Sequence, residues 1–365
     1  MFLVGERGKR MHATRLARLS AAALAAATLV LAVTGALCAQ GAAPAGAGAW
    51  HVAGRIPIGG EGFWDYLTVD TAHARLFVSH GTHVAVVDLR RDTLVGDLAN
   101  TPGVHGIALA PALNRGFVSD GRDSTVVVFD LTSLNEVARV NVGARNPDAI
   151  LYDPSSRRVF TMNGGSSNTT ALDAATNAVV GHVDLGGRPE FAVSDGRGRV
   201  YLNIEDKGEV VELDPKALRV LRRWPIAPCS EPSGLAIDVA HGRLFSVCDG
   251  VMAISDARAG KLLTTVPIGS RPDGAAFDPG LGLAFSSNGG DGTVTVVRAN
   301  GAAGYAVAAT VPTQRGARTI ALDPRSHRLY LSTAEFGPPP AATAEQPRPR
   351  PSVVPGSFTV LVVER

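Results

Sequence analysis

The chain has 365 residues, 45% of them hydrophobic and 19% charged, with a formal net charge of +2. That balance is too apolar for a disordered chain and too neutral for a general polyanion-binding surface, so nucleic acid is not an expected partner. Removing residues 1–39 takes away five Lys/Arg and one Glu and leaves −2, so the basic excess belongs to the N-terminus alone.

Arg7, Lys9, Arg10, Arg15 and Arg18 precede an Ala/Leu/Val-rich run over 19–37 and a spacer of small residues. This order reads as a secretory signal over 1–39 with cleavage within 38–43, followed by a flexible linker over 40–49. A retained membrane anchor or a lipid attached at Cys38 fits less well, because Leu37 and Gly35 stand where a lipidation motif has other residue types. No second apolar run is long enough to span a bilayer. The expected location is periplasmic or extracellular.

From Trp50 onward the chain is built of repeats. Each copy has a short apolar strand ending in Asp or a substitute, a turn, and then a strand carrying an aromatic residue. Those aromatics are Phe77, Phe117, Phe160, Tyr201, Phe245, Phe285 and Tyr330, spaced about 42 residues apart. One supersecondary unit per repeat, strand-like alternation and the lack of a helical period predict a seven-bladed β-propeller of four-stranded antiparallel blades over 50–365. In the second repeat, strands are expected at 106–110, 116–119, 125–131 and 136–142. The third strands (HVAVVDL, TVVVFDL, NTTALDA, EVVELDP, VMAISDA, TVTVVRA) are rich in β-branched residues, as strands packed on both faces require. The chain ends on FTVLVVER, another third strand, while WHVAGRIPIG reads as an outer strand. Residues 50–58 are therefore expected to pair with 358–364 and close the ring without an exposed edge there.

Counting five residues back from each strand-ending Asp position gives Asp65, His105, Asp148, Glu190, Ser233, Asp273 and Arg318, which are expected to ring the mouth of the central channel. Counting three on from each marker aromatic gives His80, Asp120, Asn163, Ile204, Cys248, Asn288 and Thr333. Simple antiparallel pairing sets Asp65 opposite His80 and His105 opposite Asp120. Two adjacent Asp/His pairs could exchange protons as acid and base. Alternatively, His105, Asp148 and Glu190 could hold a divalent metal ion, the one cofactor for which the sequence offers ligands. The same residue types also cap turns, so each has a purely structural alternative.

Cys229 and Cys248 are the two cysteines beyond the signal, and in an oxidising compartment they are expected to form a structural disulfide. Residues 334–357 carry a run of prolines without apolar period, and they are expected to form a long loop inserted in the last blade. Phe63 and Trp64, in the first loop on the channel-mouth side, are placed either to stack on a ligand or to pack on the ring closure. Walker-type, H-E-x-x-H, G-x-S-x-G and C-x-x-C-H motifs are absent from the sequence.

The stretches GFWDYLTVD, TPGVHGIALAP, GFVSDGRDSTVVVFDL, NPDAILYDP, CSEPSGLAID and RGARTIALDP resemble the YVTN-repeat, YncE-like family of exported bacterial propellers, across nearly all of the chain after the signal. The family pattern departs at Arg298, which replaces a third-strand Asp, and at Ser79 and Ser119, which stand where Asn is usual. The resemblance implies a periplasmic propeller and supplies no catalytic residue. The expected function is a non-enzymatic binding or scaffold role, monomeric, engaging a small molecule, cation or periplasmic protein through the channel mouth. The alternative is a metal-assisted hydrolase of the lactonase type, with Asp65, His80, His105, Asp120, Asp148 and Glu190 around one ion.

Overall fold

The computed structural model describes residues 48–301, 304–341 and 351–365. The expected signal segment over 1–39 and almost all of the expected linker over 40–49 fall outside these residues. Seven four-stranded antiparallel sheets follow one another along the chain, making a seven-bladed β-propeller. Blades 1 to 6 span residues 64–98, 104–141, 147–184, 189–225, 235–267 and 272–312. Blade 7 combines Ala321–Asp323, Arg328–Thr333 and Thr359–Glu364 with the N-terminal strand His51–Pro57. The expected closure is therefore present, with His51 opposite Glu364 and Pro57 opposite Thr359. Among the described residues no helix is long and apolar enough to cross a membrane.

The second and third strands of each blade are buried on both faces, which is why their sequences are continuous apolar runs. The marker aromatics fill the space between blades: Phe77, Phe117, Phe160 and Phe285 have no exposed surface and Tyr330 has 1%. Each contributes about 1.5–3 kcal/mol by burial. The strand-ending aspartates are turn caps. Asp70 accepts the N–H groups of Ala72 and His73, and Asp278 those of Gly280 and Leu281. An Asx turn of this kind fixes the reversal between first and second strands.

One irregularity recurs on the innermost strand. In blades 1, 2, 3, 4 and 6 the register with the second strand slips by one residue, between Trp64 and Leu67, Val104 and Ile107, Pro147 and Ile150, Pro189 and Ala192, and Pro272 and Gly274. Each slip is a β-bulge, in which an extra residue turns the local backbone and re-aims a side chain.

Candidate functional site at the channel mouth

The bulges occur at Asp65, His105, Asp148, Glu190 and Asp273, so these residues leave the ordinary in-and-out alternation of the strand. Hydroxyl groups from the second strand and from the neighbouring blade fasten the bulged backbone. Ser79 Oγ accepts the Asp65 N–H, and Ser119 Oγ accepts the Gly106 N–H while donating to the Asp148 carbonyl. Thr319 donates to the Asp65 carbonyl and Ser287 to the Arg318 carbonyl. In this way one blade sets the position of the next blade's site residue.

Residues of five blades meet across the mouth. His105 Nδ1 lies 2.8 Å from an Asp65 carboxylate oxygen and 3.4 Å from one of Asp148. Asp65, His105 and Asp148 offer three ligand atoms within 4.8 Å of one another, a compact set able to hold a cation. Arg318 donates to Asp273 and to the Trp64 carbonyl and stands 3.6 Å from Asp65. Asp65, Asp148 and Asp273 each keep 15–18% of their side-chain surface exposed, so the cluster is crowded by protein yet open to water and solutes.

The charges do not balance, since four carboxylates face two cations. Burial pushes Asp148 up to about 7, with Asp65 and Asp273 adding to the rise against the opposing field of His105. Burial, followed by repulsion from Asp148 and Asp273, raises Glu190 to about 10. Asp273 rises to about 6 by burial, restrained by Arg318. For His105 burial opposes the charged form, but the hydrogen bond to Asp65 and the field of Asp148 outweigh it and hold the imidazole at about 9. At neutral pH the mouth therefore stores protons on carboxyl groups in place of missing cations.

The structure places the predicted residues unequally. Asp65, His105, Asp148, Asp273 and Arg318 come together; Glu190 faces the same mouth and feels its charges without a hydrogen bond to the trio. His80 and Asp120 are elsewhere, and the expected facing pairs are corrected. The bulge sets Trp64, not Asp65, opposite His80, and Val104, not His105, opposite Asp120. His80 is buried, stacked on Phe358 at 4.3 Å and beside His83 at 4.8 Å. Burial and then His83 lower it to about 4. Asp120 is fully buried, lies 3.5 Å from Arg139, and is raised to about 6 by burial and by Asp123.

Trp64 packs on the closure, 5.2 Å from Phe358 and 6.0 Å from Phe336, whereas Phe63 is 75% exposed. The inserted loop has an ordered neck, where Phe336 bridges Val353 and Gly337 donates to the Ser352 carbonyl. Residues 342–350 of that loop lie outside the described residues. Cys229 and Cys248 are disulfide-bonded and buried in blade 5.

Sequence counting missed Tyr66. Its ring lies 5.1 Å from Phe191, and its hydroxyl is held well above 10 by burial and by Glu190, Asp148, Asp65 and Asp273. The signal was its place beside Asp65 in the bulge, which strict strand alternation hides.

No family model matches the sequence, and no curated protein matches it. Among solved structures, a chain of Kuenenia stuttgartiensis hydrazine synthase is similar, with a TM-score of 0.66, 18% identity, and coverage of 74% of this chain and 92% of that one. At that identity the likeness shows the propeller fold alone.

Proposed function

We propose that this chain is an exported, YncE-like binding propeller whose channel mouth captures a small cationic ligand, first among them a divalent metal ion. The observation that carries the reading is the excess of carboxylates over cations around Asp65, His105 and Asp148, within coordinating reach of one another. Oxygen donors predominate, which favours hard ions such as Ca²⁺ or Mn²⁺. A bound cation would replace the protons on Asp148 and Glu190, so binding should release protons and tighten as pH rises.

The test is calorimetric titration of the exported protein with Ca²⁺ and Mn²⁺, in buffers of different ionisation enthalpy, beside Asp148→Asn. Saturable binding with proton release, lost in the variant, supports the reading. Absence of binding for both ions between pH 6 and 9 sinks it. A second reading is metal-assisted hydrolysis, favoured by one feature: three protein ligands leave coordination positions open for water and substrate. Metal-dependent turnover of simple lactones would establish it.

A further inference from the structure

The position that follows the marker aromatic by three has a clear structural job in two blades. Asn163 donates to Asn168 and to the Thr170 hydroxyl, and Asn288 donates to Thr293 and Thr295, tying the second strand to the third. In blade 1 the same position is His80, and the third strand offers His83 directly opposite it. The next residue on that face is Ala85, where blade 3 has Thr170. His80 is 1% exposed, and among the described residues neither of its ring nitrogens has a hydrogen-bond partner. It is therefore not serving as the turn tie that Asn provides in blades 3 and 6.

The unpartnered imidazole lines a cavity of about 210 Å³ between blades 7 and 1, bordered also by Gly60, His83, Ala85 and Asp97. His80, His83 and Asp97 share one face of blade 1, because Asp97 pairs with Ala85. Gly59 and Gly60 both have positive φ, and Gly60 closes over the ring edge, where a Cβ would stand 2.8 Å from His80 Cε1. His83 and Asp97 also border a wider groove of about 790 Å³ toward blade 2, which supplies a path from solvent.

We propose that His80 and His83 form a second, transition-metal site in blade 1, independent of the channel mouth, with Asp97 orienting a metal-bound water. Cross-strand partners on one face hold their side chains about 4.5–5.5 Å apart at Cβ, a spacing that two imidazoles can close on a single ion. Imidazole ligands select Zn²⁺, Ni²⁺, Cu²⁺ or Co²⁺ over the hard ions expected at the carboxylate-rich mouth. The stack on Phe358 fixes the His80 ring, leaving His83 as the adjustable ligand at the rim. Asp97 stands apart as an outer partner, because among the described residues only Asp65, His105 and Asp148 bring three donors within 4.8 Å.

The experiment is a Co²⁺ titration of the exported Asp148→Asn protein, in which the mouth trio is broken, followed by visible absorption and calorimetry. One ion per chain is expected. Adding His83→Ala should weaken binding by at least about 10–100-fold, the loss that even an outer partner of a metal ligand causes. A Gly60→Ala variant should weaken it too, by displacing the His80 ring. A second readout needs no variant of the site: paramagnetic Ni²⁺ should broaden the imidazole signals of His80 and His83 before those of His105. Failure of Asp148→Asn to bind Co²⁺, unchanged affinity in His83→Ala, or broadening at His105 first would each overturn the proposal.

Discussion

Replacing Asp148 with Asn gives the sharpest test of the charge imbalance at the mouth. The carboxyl is raised from 3.8 to about 7, chiefly by burial. Between those values the folded state binds a proton that the unfolded state has released, so folding stability is full below 3.8 and is lost as pH rises through 7. A rise of that size corresponds to about 4 kcal/mol. Water in the open channel screens part of it, leaving about 2 kcal/mol as the expected loss. His105, raised to about 9, acts in the same direction at higher pH, because its stabilising charge is lost as pH climbs from 6.5 through 9. Asparagine keeps the shape and cannot titrate. In denaturant unfolding at pH 4.5 and pH 8, the wild type should lose about 2 kcal/mol more than Asp148→Asn across the interval. Equal losses in the two proteins, or a variant that is the weaker of the two at pH 8, would refute the argument that burial of an uncompensated carboxylate governs this site.

Other substitutions probe the parts that hold the site. Ser119→Ala leaves the Gly106 N–H and the Asp148 carbonyl short of a partner and should cost about 1–3 kcal/mol in chemical denaturation. Gly121→Ala would put a Cβ 2.7 Å from His105 Nε2 and 2.9 Å from Asn146 Oδ1; the displaced imidazole should titrate closer to 6.5, as followed by NMR. Arg318→Gln removes the counter-cation of Asp273 and should tighten Ca²⁺ binding by about tenfold while lowering the thermal midpoint. Reducing the Cys229–Cys248 bridge, which closes a separation of 19 residues, should cost about 3 kcal/mol, measurable by unfolding with and without reductant.

The architecture was legible because its causes repeat. Seven marker aromatics fill seven equivalent spaces between blades, and an unpaired third strand at the C-terminus called for an N-terminal partner, which His51–Pro57 supplies. The mouth was legible only in part. Counting from the strand-ending Asp found Asp65, His105, Asp148, Asp273 and Arg318, since that Asp fixes the lower turn in most blades. Counting along the second strand failed for His80 and Asp120, because it assumed one residue opposite one. The bulge adds a residue to the inner strand alone, and nothing in the local composition around Trp64 or Val104 announces it. Ser79 and Ser119 read as departures from a repeat signature, yet their hydroxyls are what hold the bulged backbone.

A division of labour follows from that bulge. Positions that build the blade tend to carry similar residues, such as the marker aromatics in all seven repeats and the hydroxyls of Ser79, Ser119, Ser287 and Ser332 in blades 1, 2, 6 and 7. At the bulged position the residue type changes from blade to blade: Asp, His, Asp, Glu, then Asp again at Asp273. Blade 5 departs from the pattern, with Ser233 donating to the Pro272 carbonyl in place of a charged group and a first strand shortened to Leu235–Asp238. The disulfide lies in this same blade, tying the loop before the short strand to the end of the second strand. A ring with charged groups in six blades and a neutral, stapled fifth blade is asymmetric. Asp65, His105 and Asp148 cluster on one side of the channel as the proposed cation site, and the ring position of blade 5, Ser233, carries no charge that would compete for an ion there.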